Sequence, residues 1–174
     1  LAMLAWTQSQ VQLRDLGITT REALQFQTLA GHITYPTAAL RPPAASVRED
    51  AAGQNALWPM GISGDLPIAL VRIDRIEDLP VVQQFIRAFE YWRIRRFAVD
   101  LVLLNREPTS YRDELHHALE RLAGSIRART GSRDSTGRIY VLRVDQTDAR
   151  TVRALSAAAA VVLDASVGDL AAQL

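Results

Sequence analysis

Four apolar runs in the chain each end on a residue able to bind a ligand. Asp74 follows Pro67–Ile73, Asn105 follows Phe97–Leu104, Asp145 follows Ile139–Val144, and Asp164 follows Ala160–Leu163. If the runs are parallel strands, these side chains lie beyond their carboxyl ends, where open α/β sheets bind ligands. A ring of acids there can hold a metal or accept hydrogen bonds from sugar hydroxyls. Asp and Asn are also the residues that cap helices and form turns, and helices begin at just these points. The residue types alone leave both readings open.

A second candidate is Trp58-Pro-Met-Gly-Ile-Ser-Gly-Asp65. Gly61 and Gly64 allow close backbone approach to a ligand. Ser63 and Asp65 can hydrogen-bond it, and Trp58 can stack on a sugar face. The segment precedes a strand, whereas a phosphate loop lies between a strand and a helix. Its structural alternative is a tight turn leading into the strand, with Trp58 covering the edge of the core.

Other chemistries find less support. There is no Cys, which removes disulfides, thiolate metal sites and a Cys nucleophile. His116 and His117 are neighbours on one predicted helix and point apart, and His32 is far away in sequence, so no metal site is expected. No GxSxG is present, and Ser63 has no evident His partner. Arg93, Arg95 and Arg96 follow Tyr91 and Trp92, a pattern that can bind single-stranded nucleic acid. Positive charge at a helix C-terminus is the simpler account. The net charge of +1, from 20 basic residues that are all Arg and 19 acidic ones, offers no general attraction to nucleic acid or anionic lipid.

The elements that must position these residues are legible from periodicity. Leu4, Val11 and Leu16 mark a first helix stopped by Gly17. The Thr19–Glu22 capping box starts a second, carrying Leu24, Phe26, Leu29 and Ile33. Together residues 1–35 read as an α-hairpin. Residues 36–63 hold six Pro and Gly and read as an irregular connection. From residue 64 to 174 the order is strand, helix, strand, helix, strand, helix, strand, with Val167–Leu174 starting a further helix. Asp78 and Pro80 begin the first crossover helix, with Val82, Phe85, Ile86, Phe89 and Trp92 at helical spacing. Ser110 and Asp113 precede the second, with Leu115, Leu119, Leu122 and Ile126. Strands this apolar, each followed by a helix, predict an α/β fold: a small four-stranded parallel sheet in three layers, Rossmann-like or flavodoxin-like, with right-handed crossovers. No apolar run is long enough to span a membrane. Both ends fall within apolar helical patterns, as expected of a piece cut from a longer protein.

Several stretches resemble one family. Gln54-Asn-Ala-Leu-Trp-Pro-Met-Gly-Ile-Ser-Gly-Asp-Leu-Pro-Ile68, Glu90-Tyr-Trp-Arg93, Val99-Asp-Leu-Val-Leu-Leu-Asn105 and Tyr111-Arg112 are similar to cyclic β-1,2-glucan synthases, large bacterial membrane glycosyltransferases. Ala5–Val11, Phe26–Ala30 and Val162–Asp164 resemble the same region, so the similarity covers nearly the whole chain. The resemblance implies a parent that uses UDP-glucose and carries a cyclising domain and a C-terminal half similar to cellobiose-type phosphorylases. It places this piece in that half, on the cytosolic face of the inner membrane. No catalytic motif of the family falls here, so no catalytic residue or cofactor is implied. Where the family pattern has Lys-Gly after the Tyr-Trp-Arg helix, this chain has Arg95-Arg96, which removes a glycine helix stop.

Three functional readings follow. One is a non-catalytic module that positions neighbouring domains of the same polypeptide and can guide β-1,2-glucan. Another is a saccharide site lined by Trp58, Ser63, Gly64, Asp65, Asp74, Asn105, Asp145 and Asp164 together. The last is a small-ligand or nucleotide domain of doubly wound type, which needs a glycine-rich first strand–helix turn; Ile73–Asp78 has no glycine.

Overall fold

The computed structural model describes residues 17–35, 37–41, 54–108, 113–130 and 137–174. The first arm of the expected hairpin and Ser110 lie outside them. Helix α1 (Thr20–Thr34) starts as its sequence predicts: the Thr19 hydroxyl accepts the Glu22 N–H at 3.2 Å, and the Glu22 carboxylate accepts the Thr19 N–H at 3.0 Å. Strand β1 (Ile68–Ile73) leads through a short 3₁₀ turn to helix α2 (Leu79–Ile94). Then come β2 (Asp100–Asn105), α3 (Glu114–Thr130), β3 (Ile139–Arg143), α4 (Ala149–Ala158), β4 (Val161–Asp164) and the short α5 (Leu170–Gln173). The second strand begins at Asp100 rather than Phe97. Phe97 instead turns back onto Trp92, ring edge to face at 6.1 Å between centroids.

All strands pair in parallel, in the order β3-β2-β1-β4. This is the first four-strand order of the Rossmann sheet and not that of flavodoxin. The order decides the layers. The crossovers from β1 to β2 and from β2 to β3 step in one direction, and that from β3 to β4 steps back past β1. With one hand of crossover, α2 and α3 must cover one face and α4 the other. The side chains agree. Ala69, Val71, Ile73, Leu101, Leu103, Ile139, Val161 and Leu163 pack with Phe85, Phe89, Leu115 and Leu119. Ile68, Leu70, Val102 and Leu104 pack with Ala154 and Leu155 on the opposite face.

Two segments complete the packing. α1 lies outside α2, where the Trp92 indole N–H donates to the Phe26 carbonyl at 2.9 Å and Phe26 and Leu29 join the larger core. On the opposite face, Leu57, between 3₁₀ turns at Gln54–Ala56 and Trp58–Met60, and Ile62, just after the second, are fully buried against β1 and β2. The side chain expected to cover that edge does not: Trp58 is 61% exposed, and the aliphatic residues before and after it fill the space.

The missing glycine stop after α2 is replaced without loss of the turn. Arg96 takes the left-handed conformation at φ 56°, its N–H reaches the Arg93 carbonyl at 2.9 Å, and the Phe97 N–H reaches Trp92 at 2.9 Å. This is the hydrogen-bond pattern of a glycine-capped helix end, built with Arg in the glycine position.

Candidate functional site

The strand order puts the topological switch between β1 and β4, so the ligand crevice of this fold lies beyond Ile73 and Asp164. Arg106, the first residue after β2, fills it. Its Nε and one terminal nitrogen donate to the two oxygens of Asp74, both at 2.7 Å, and the same terminal nitrogen donates to Asp164 at 2.7 Å. Its backbone N–H bonds the Ile73 carbonyl at 2.8 Å, which fixes the guanidinium over the strand ends. Asp164 also accepts from the Ser166 N–H at 3.1 Å and the Ser166 hydroxyl at 2.6 Å. Burial pushes the Asp164 carboxyl up, but the bonds from Ser166 and Arg106 outweigh it and hold the group below its ordinary value. Arg72 reaches Ser156 on the other face at 3.0 Å and adds a second cation to the group. Two guanidinium and two carboxylate groups thus neutralise one another where a cofactor phosphate would sit.

The other two strand ends are engaged as well. Asn105 is buried and its side-chain oxygen accepts the Glu107 N–H at 2.8 Å, a local turn. Asp145 lies in the turn after β3 and takes a bidentate pair of bonds from Arg143 at 2.9 and 2.7 Å. The same guanidinium donates to Asp113 at 2.7 Å. That bond, with the Arg143 charge, draws the Asp113 carboxyl below its ordinary value. The turn between β1 and α2 carries Glu77 and Asp78, so no glycine-lined anion cradle forms there. Among the described residues, no group of three His, Asp or Glu is placed to hold a metal ion.

Ser63 and Asp65 stand at the opposite, amino end of the sheet. The expectation that they join the strand-end acids in one site is therefore corrected: the length of β1 separates the two groups. Here Ser63 and Asp65 line a cleft of about 330 Å³ with Asp100, Gly137, Arg138 and Tyr140. Gly61, in the left-handed conformation at φ 73°, ends the Trp58–Met60 turn and accepts the Tyr140 hydroxyl at 3.2 Å. Gly64 links Ser63 to Asp65, and the Asp65 N–H donates to the Ser63 oxygen at 3.2 Å. Asp100 is 3% exposed and accepts the Arg138 N–H at 2.8 Å. Burial pushes its carboxyl up, and the negative charge of Asp65 adds to the rise. Gly137 closes the cleft floor. Its φ is +106°, and a side-chain carbon there would stand 2.6 Å from the Val99 carbonyl carbon.

Sequence reading missed the residues that complete both ends. Arg106 and Arg143 give no signal because a single Arg beside a strand resembles any surface Arg. Asp100 and Tyr140 sit inside the apolar runs and read as strand interruptions. A lone acid inside FAVDLVLL was the one available cue. The His and Arg candidates took their ordinary roles. His32 meets the Thr37 hydroxyl at 2.9 Å, and Arg95 and Arg93 lie over the Tyr91 and Phe89 rings at 5.4 and 6.0 Å.

No helix among the described residues is long and apolar enough to cross a membrane. No protein-family profile matches the chain. It is 39% identical over 170 residues to cyclic beta-(1,2)-glucan synthase NdvB of Rhizobium meliloti (strain 1021). The match covers 98% of the chain and spans only 6% of the length of that relative. The similarity to a cyclic β-1,2-glucan synthase expected from the sequence is thus shown, and nearly the whole chain corresponds to one short segment of that relative.

Proposed function

We propose that this domain serves cyclic β-1,2-glucan synthesis as a positioning module within a membrane-associated synthase, holding neighbouring carbohydrate-active domains of the same polypeptide in place without carrying out bond chemistry. It belongs in this reading to the phosphorylase-like C-terminal half, on the cytosolic side. The observation that carries the proposal is the Arg106 network. The crevice in which this fold binds ligands is filled by Asp74, Arg106 and Asp164, each bonded to another. A carboxylate held by two guanidinium bonds is a poor general base and a poor metal ligand. Arg143 holds Asp145 in the same way. A nucleotide-binding role is disfavoured by the acids at the start of α2.

The test is Asp74→Asn and Asp145→Asn in the full-length synthase. Transfer from UDP-glucose, chain elongation, cyclisation and phosphorolysis are each measured per folded molecule. The expected result is unchanged partial reactions, with any loss of product following loss of folded protein. Abolition of one partial reaction in a stably folded variant would overturn the reading and make the strand-end acids catalytic.

A further inference from the structure

The amino-end cleft is not used by a positioning role, and its chemistry contrasts with that of the opposite end. At the carboxyl end Asp74, Asp145 and Asp164 are each paired with an arginine. In the cleft the Asp65 carboxylate has no ion pair among the described residues, although it is exposed. Asp100 is almost wholly buried and still contributes to the cleft wall. The Ser63 oxygen accepts the Asp65 N–H and so keeps its own O–H to donate outward. Tyr140 presents a phenol that donates to the Gly61 carbonyl at a long 3.2 Å and is hydrogen-bonded by the Arg138 side chain. The neighbouring turn carries Trp58, which is the most exposed large aromatic side chain after Tyr35 among the described residues.

These groups select a ligand class. Two carboxylates against the single Arg138 guanidinium repel phosphates and sugar nucleotides. Carboxylates accept well from the paired hydroxyls of a neutral sugar, and an exposed indole offers an apolar plane to the C–H face of a ring. The volume is at the small end of ligand sites, enough for a short stretch of chain. We propose that this cleft holds a short stretch of neutral gluco-oligosaccharide, with Asp65, Asp100, Ser63 and Tyr140 on its hydroxyls and Trp58 free to cover a ring face. The choice of glucan rests on the reading of the chain as part of a glucan synthase; the preference for a neutral polyhydroxyl ligand comes from the cleft itself.

The experiment is titration of the isotope-labelled 174-residue chain with linear β-1,2-linked gluco-oligosaccharide, followed by backbone amide NMR and Trp fluorescence. β-1,3-linked oligosaccharide and UDP-glucose are the comparators. Shifts at Gly61, Ser63, Asp65, Gly137 and Tyr140 are expected, with little response to UDP-glucose. Asp65→Asn and Tyr140→Phe should each weaken binding about five- to tenfold, the loss of one hydrogen bond, with unchanged melting temperature. No shifts at millimolar oligosaccharide, shifts confined to the Arg106 end, or equal binding of UDP-glucose would each overturn the proposal. Equal binding of both linkages in the cleft supports a sugar subsite and overturns the glucan-synthase basis for choosing its ligand, so the two readings fail separately.

Discussion

Replacing Gly137 with Ala sets a methyl group against the peptide of Val99. The new carbon would lie 2.6 Å from the Val99 carbonyl carbon, where ordinary contact begins near 3.4 Å, and nearer still to the oxygen. One backbone must retreat by about 1 Å, because packed interiors leave no slack. Two hydrogen bonds span that gap, from the Arg138 N–H to Asp100 and from the Leu101 N–H to Arg138, both at 2.8 Å. A 1 Å shift takes both beyond useful length. Losing them costs about 1 kcal/mol each, and stripping buried Asp100 of its donor costs about 1–2 kcal/mol more. A side chain at φ +106° adds roughly 1–2 kcal/mol of backbone strain. The expected destabilisation is therefore about 4–6 kcal/mol, among the largest single-residue effects. Urea unfolding followed by circular dichroism measures it, with the slope m unchanged and the midpoint lowered. Gly124→Ala is the control: nothing lies within 4 Å of its added carbon in α3, and a gain of about 0.5–1 kcal/mol is expected. A Gly137→Ala chain within about 1 kcal/mol of the parent would refute the close approach of Gly137 to Val99.

Further perturbations probe the other elements. Arg96→Gly should stabilise the chain by about 0.5–1 kcal/mol, since left-handed strain on Arg exceeds the entropic cost of Gly; thermal unfolding reads it. Arg106→Met should cost about 1–2 kcal/mol at neutral pH, after discounting for partial solvent exposure of the pairs. Asp164 is depressed in the fold, so its contribution is present above the unfolded carboxylate range and lost as pH falls through the lower folded value; parent and variant stabilities should converge in acid, as urea midpoints across pH would show. Asp100 has the opposite sign. Its folded value is raised, so its contribution is lost as pH rises through that value, and Asp100→Asn should gain stability relative to the parent as pH rises above the ordinary carboxylate range. Thr19→Ala removes the Glu22 N–H acceptor at the start of α1 and should cost about 1 kcal/mol in thermal unfolding.

The sheet was legible because its residues repeat one physical fact. Runs such as IALVRI and DLVLLN are apolar on both faces, which only a strand covered from both sides tolerates. Helix starts at Thr19 and Pro80 were legible because caps and first-turn prolines act locally. What could not be read was pairing across the chain. The Rossmann order follows from which helix covers which face, and that depends on α4 burying Ala154 and Leu155 opposite α2. The candidate site residues were named by type, but their division between two ends of the sheet depends on strand direction for every member at once. Trp58 was misplaced because an aromatic beside a strand is expected inside, and Leu57 and Ile62 had already filled that space. Arg96 shows the converse: the glycine was missing, and the backbone kept the glycine geometry because Phe97 packing on Trp92 holds the turn.

The position of β4 beside β1 also shapes how the sheet is assembled. Pairing β1 with β2 joins Ala69 to Leu101, 32 residues apart, and pairing β2 with β3 joins Leu101 to Ile139, 38 apart. Pairing β4 with β1 joins Ala69 to Val161, 92 residues apart. Closing that longer loop costs about 1 kcal/mol more in chain entropy, and the strand it recruits is only four residues long. The three-strand unit can thus form from near neighbours, with β4 added across the longest closure. Arg106 issues from β2 and grips Asp164 at the end of β4, so it acts as a latch on the last strand to arrive. In hydrogen-exchange terms, the expectation is that the amides of β4 exchange ahead of those of β1 and β2.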